Sequence, residues 1–290
     1  MRAAPATCRP AAAPARPTRR PGVASLSRVE LVQLVGQPRT QVAAVGCLLA
    51  PLAVVIVTRL VGTVPSDTLF GRWLPDGGMA LPLVMLGFAG QWGIPALMSL
   101  MAADVFAAED RHGTWPALMT RSTTRGRIFA GKAVSATGVG LGLVALLGAS
   151  AILCGRLLGP TQPLLGLSGQ ELAGDGLTGL VVMAWLTQLL PALVFGSLAV
   201  MLSVLTRSAA SGTAGPVVLG LLASLVGMAG LPEWLRELLP GTGFETWHGL
   251  LAQPAFLGPL LRTSLVCVWW IALFLLVAWR VFARRDVRTS

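Results

Sequence analysis

Six stretches of this 290-residue chain carry no charged side chain: residues 41–58, 77–103, 133–155, 176–206, 208–232 and 263–279. Counted inclusively they run 18, 27, 23, 31, 25 and 17 residues. A bilayer's hydrocarbon core of about 30 Å takes about 17 to 25 helical residues, so each stretch suits one crossing. The longest, 176–206, opens with Gly176 and Thr178 and is too short for two. The shortest gains length from Arg280, whose stem lets its charged head reach the interface. A helix of a water-soluble protein keeps one polar face, but LLAPLAVVIV and WWIALFLLVAW are apolar all round. Charged residues make up 12% of the chain, half of the roughly 25% usual in soluble domains. The pattern predicts an all-α integral membrane protein with six transmembrane helices. Pro51, Pro82, Pro95, Pro191 and Pro216 fall within these runs, which membrane helices tolerate because neighbours satisfy the freed carbonyls. Gly138 and Gly142 form a GxxxG, a pattern that lets helices approach closely but that chance supplies readily among 34 glycines.

The net charge of +10 sits mostly beside the spans. Of 22 Lys and Arg residues, 17 fall in the first, third, fifth and seventh extramembrane segments and 5 in the others. Basic loops stay cytoplasmic, so both termini and residues 104–132 are expected there, in a bacterial plasma membrane, with Arg side chains touching anionic lipid. Trp73, Trp234 and Trp247 are expected toward the outer interface, and Trp115 and Trp279 toward the inner one. No zinc-finger spacing or RNA-binding aromatic motif accompanies the charge, so nucleic acid is not an expected partner. Residues 1–23 are rich in Ala, Pro and Arg without an acid and are expected to be a disordered tail. Residues 41–285 follow as the six-span domain. Cys8, Cys47, Cys154 and Cys267 show no paired spacing. With His112 and His248 on opposite sides of the membrane, no histidine-based metal or triad site is expected.

Between the second and third runs lies EDRHGTWPALMTRSTTRGRIFAGKA, residues 109–133. Its end resembles a phosphate loop, G-x-x-x-x-G-K-[ST]. Gly126, Gly131 and Lys132 match, but Ala133 stands where a hydroxyl should hold magnesium. No α/β domain fits between the spans, so no bound cofactor is expected, and Lys132 reads as the boundary of the third span, with Gly131 easing a bend into it. Glu109 to Thr120 can form a short helix: Glu109 and Asp110 would favour its start, and Trp115, Leu118 and Met119 would form an apolar stripe. Arg121, Arg125 and Arg127 follow as a basic cluster. Resting on lipid headgroups and docking into a cytoplasmic partner are the two readings of such a helix.

Glu109, Gly113, Thr114, Leu118, Thr120, Arg121, Arg125, Gly131 and Lys132 resemble the segment after the second span in type-2 ABC exporter permeases. VELVQLVGQPRTQ, with Glu30, Leu31 and Pro38 in matching positions, is similar to that family's amphipathic helix before span one, which implies an amphipathic lead-in helix over residues 24–40. LAVMLSVLTRSAASGTAGPVVL has its Arg turn followed by a small-residue span. LPEWLRELLPGTGFETW resembles its outer loop, where short helices dip back into the membrane. The likeness covers about residues 25 to 285. Ser122 departs from a frequent Pro, and Val32 and Gln33 from usual basic residues. The resemblance implies an exporter permease that is not itself an enzyme. A separate cytoplasmic ABC ATPase would hold ATP and magnesium, and a second permease subunit, identical or similar, would complete the path. A coupling helix would carry Glu109, Asp110, Gly113, Thr114, Trp115, Leu118, Arg121 and Arg125. Gln91, Trp92, Thr187 and Gln188 are the most polar residues within the runs and the candidates for a substrate path. A path without charges favours an amphipathic or lipid-like cargo over a metal ion. A secondary transporter or channel is the alternative, which normally needs buried carboxylates or His. No GxSxG or HExxH points to an intramembrane enzyme.

Overall fold

The computed structural model describes residues 22–61, 73, 78–115, 124–158, 163–228, 230 and 232–284. Ten α-helices carry the described fold: α1 (Val23–Val35), α2 (Pro38–Val61), α3 (Ala80–Phe88), α4 (Ile94–His112), α5 (Arg125–Leu158), α6 (Gly174–Thr187), α7 (Leu189–Thr206), α8 (Ala209–Met228), α9 (Glu233–Glu237) and α10 (Gly258–Arg284). A π-helical turn, Ala89–Gly93, joins α3 to α4, and a 3-10 helix, Pro240–Leu251, follows α9. The single described hairpin pairs β1 (Leu164–Leu165) with β2 (Glu171–Leu172), antiparallel. Six helical stretches are long and apolar enough to cross a bilayer: α2, α3 with α4, α5, α6 with α7, α8, and α10. The chain is an all-α multi-pass membrane protein.

The helices overrun the uncharged stretches because a charge ends an apolar core without ending a helix. α5 begins at Arg125 and passes through Gly131 and Lys132 without a break, so the helix extends past the residue expected to bound the third span. The stretch matching a phosphate loop is helix, and from Arg127 onward its N–H groups are taken up by the backbone. The lead-in segment stops at Val35 rather than 40: Gly36 and Gln37 turn the chain, and Pro38 opens α2, where its missing N–H costs nothing. The face α1 turns outward mixes Val29, Val32 and Val35, each more than half exposed, with Arg28 and Gln33, while Ser27 and Leu34 are buried. Its close approach to α5 needs Gly131: a Cβ there would stand 3.1 Å from Leu26 Cβ.

Spans two to four form the core. In span four 61% of the apolar window is buried, against 17% in spans one and five. α7 packs on α4, α8 and α10, and α5 packs on α1, α2 and α4. The GxxxG glycines take no part, since a Cβ on Gly138 or Gly142 would meet nothing within 4 Å. Close helix approach falls instead at Gly148, where a Cβ would stand 2.8 Å from the Trp185 ring.

Two prolines place the irregular backbone. Pro95 and Pro191 have no N–H to donate to the carbonyls of Gln91 and Thr187, four residues earlier. Just before the first, the ladder widens to a π-turn, with Ile94 N–H bonded to Ala89 O. Just before the second, Gln188 separates α6 from α7.

Candidate functional site

At one end of the bundle, charged and aromatic side chains tie five helices together. Lys132 on α5 is 3% exposed, and its Nζ donates to Glu30 Oε1 of α1 at 2.8 Å and Glu109 Oε1 of α4 at 2.9 Å. A lysine so buried would lose its charge or unfold the site unless paired; two carboxylates compensate it and leave the trio at −1. Beside it, Asp104 of α4 accepts from Arg39 of α2 at 2.8 Å and from Arg111 at 2.5 Å, a trio of +1. Phe106, Trp115, Phe129, Trp279 and Phe282 pack between them, with ring centroids 5.1–6.4 Å apart. Arg125 donates to Ala283 O of α10 at 2.9 Å.

No new helix starts at Glu109: helical backbone resumes at Trp115, and residues 116–120 lie outside the described residues. Glu109 and Asp110 form the last turn of α4, because the apolar run Val105–Ala108 continues the helix and no breaker comes before Gly113. Gly113 adopts φ 61°, the left-handed conformation that glycine takes without penalty, and its N–H caps Glu109 O. Thr114 then bonds Glu109 through both its N–H and its hydroxyl. Trp115 Nε1 donates to Asp110 Oδ1 at 2.8 Å, and its ring is 7% exposed. Trp115 therefore faces the bundle, neither a free docking stripe nor the headgroups. Of the expected coupling residues, Glu109, Asp110, Gly113, Thr114, Trp115 and Arg125 gather here; Leu118 and Arg121 lie outside the described residues. Glu30, Arg39, Asp104, Phe129 and Phe282 complete the junction. Apart from the matching position of Glu30, nothing local in the sequence marks them: Glu30 and Lys132 are 102 residues apart.

The opposite end holds a cavity of about 340 Å³. The 3-10 helix packs into the bundle there, burying Phe244, Trp247 and Leu251; Trp247 is thus core rather than interface. Phe244 seats on Gly90, where a Cβ would lie 3.3 Å from Phe244 Cβ. That seat brings the next residue, Glu245, beside Gln91, whose Nε2 donates to Glu245 Oε1 at 3.4 Å. Gln91 and Trp92 line the cavity with Phe195, Ser224, Arg236, Thr242, Phe244 and Glu245. Thr187 and Gln188 do not line it. Thr187 bonds back to Ala184 O at 2.7 Å. Gln188 is fully buried, and no donor among the described residues reaches its Oε1. Arg236 and Glu245 escaped the sequence reading because they belong to a loop between spans, brought into the bundle only by its fold.

Fold and sites together define a multi-pass membrane protein with a charged, aromatic-packed junction at one end and a cavity of mixed polar and apolar wall at the other. Residues 80–288 match the family model described as protein of unknown function (DUF2705), and the chain belongs to that family. The match takes in spans two to six and most of both sites. No curated protein matches the chain.

Proposed function

We propose that this chain is the membrane-spanning permease subunit of an ATP-driven exporter, energised by a separate ATPase that docks on the turn after α4. The observation that carries this reading is the Glu30–Lys132–Glu109 junction. It lies within one helical turn of the Gly113–Thr114 turn, which is exposed, and joins α1, α4 and α5. A push on that turn would reach spans two and three and the lead-in helix together, and the aromatic cluster would carry it to span six. Coupled conformational change needs such rigid linkage between elements that have two arrangements. The lightly buried spans one, five and six leave room for a second permease subunit. ATP and magnesium would reside on the partner ATPase, the direction would be export, and the charged end would face the cytoplasm of a bacterial cell.

Co-expression of the tagged chain with a soluble ATPase carrying a complete phosphate loop, encoded beside it, tests the reading. The ATPase is expected to co-purify, and Glu109→Ala or Gly113→Val to lower ATP hydrolysis by the complex at least about tenfold, as loss of about 1.4 kcal/mol of coupling would. No co-purification, or full hydrolysis in both variants, would overturn it. Uptake by vesicles of the chain alone under a proton gradient would point to a secondary transporter instead.

A further inference from the structure

We propose that the cavity at the far end binds the headgroup of a zwitterionic amphiphile, its anionic group at Arg236 and its cationic group between Glu245 and Trp92. Arg236 and Glu245 line one cavity, yet they form no ion pair, and Arg236 has no ion pair or side-chain hydrogen bond to any described residue. Among the described residues, the Glu245 carboxylate holds only the 3.4 Å contact from Gln91. Opposite charges that face a common space without meeting suit a ligand that carries both complements. Trp92, 47% exposed, offers a ring face to a quaternary or primary ammonium, and a guanidinium recognises phosphate or carboxylate.

Beside Gln91, Ser224 and Thr242, the remaining side chains of the wall are apolar, Phe195, Leu221, Leu225 and Phe244 among them. Leu225 is 58% exposed, on the lightly buried face of α8 that also exposes Leu222 and Val218. A hydrocarbon tail could therefore lie along α8 with its headgroup in the cavity. The volume is at the low end of the roughly 300–1,000 Å³ of small-molecule sites, which fits a headgroup with a few methylenes rather than a whole lipid. The backbone agrees: the π-turn bearing Gln91 and Trp92 and the 3-10 helix bearing Glu245 form this wall, and irregular backbone at membrane depth occurs where it is buried or lines a cavity. As a binding site this stands on the cavity alone; that its ligand is the cargo rests on the permease reading.

The test uses the purified chain in maltoside micelles, without any ATPase, so its failure leaves the ATPase reading untouched. Three single-chain amphiphiles with the same brominated tail are compared: a phosphocholine, a phosphoglycerol and a trimethylammonium. The readout is tryptophan quenching, taken as the difference between wild type and Trp92→Phe. Phosphocholine is expected to bind about tenfold tighter than either singly charged probe, roughly one charge-assisted contact. Arg236→Gln should bring it to the level of the ammonium, and Glu245→Gln to that of the phosphoglycerol. Both side chains are exposed, so the thermal transition of each variant should match wild type. The proposal is overturned if a singly charged probe binds wild type as tightly as phosphocholine, a result that needs no charge variant, or if both variants keep the wild-type ranking.

Discussion

Lys132 shows how far one side chain's meaning depends on what meets it. Along the chain it completes a false phosphate loop; in the fold it is the cation shared by two carboxylates from α1 and α4. Removing it would leave two nearby carboxylates, each with a side chain 20% exposed, without the ammonium they share. Lys132→Met is expected to cost about 3–5 kcal/mol, the range for breaking a buried ion pair from one side. Glu30→Gln leaves a one-to-one pair and an amide oxygen for Nζ, so about 1 kcal/mol is expected. Unfolding by denaturant in detergent micelles would measure both, and equal losses would refute the compensation argument. The sequence could not show this pairing, because ion-pair partners 102 and 23 residues away leave no local pattern.

Among the elements, helix contact is decided by which face a glycine occupies rather than by a motif. The GxxxG of Gly138 and Gly142 points into open space, whereas Gly148 lies flat under Trp185. Gly148→Leu is expected to lower stability by about 1–3 kcal/mol or more through overpacking. Gly142→Leu should leave it unchanged or slightly raised, since leucine is the better helix former. Thermal unfolding of the two variants in one detergent discriminates, and an equal shift would mean that α6 does not cross α5 here. The six spans were legible because apolar length is a property of composition. The end of α4 at Gly113, rather than a helix start at Glu109, was not, because an acidic pair suits either the first turn of a new helix or the last turn of an old one when ion-paired. Lys132 settles that choice by holding Glu109 in place.

For the whole molecule, six crossings put α1 and the end of α10 on the same side and α9 on the other. In a chain whose own cysteines are replaced, Arg28→Cys and Arg284→Cys are expected to react with a membrane-impermeant maleimide from one side, and Trp234→Cys from the other. In intact cells only Trp234→Cys should react, as the basic segments predict for a cytoplasmic charged end. Reaction of all three from one side would sink the six-span reading.

What the sequence determined by itself is therefore the solvent: uncharged runs of bilayer length force helices, their number and their alternation, because lipid satisfies no backbone group. It also supplied Gln91 and Trp92, whose polarity is conspicuous in an apolar run. Only the tertiary structure decided which charges meet and which stay apart. Lys132 finds Glu30 and Glu109 where helices cross, and Arg236 and Glu245 face one cavity because the 3-10 helix folds back to bury Phe244 on Gly90. Those encounters depend on packing between distant segments, and a one-dimensional pattern holds no record of them.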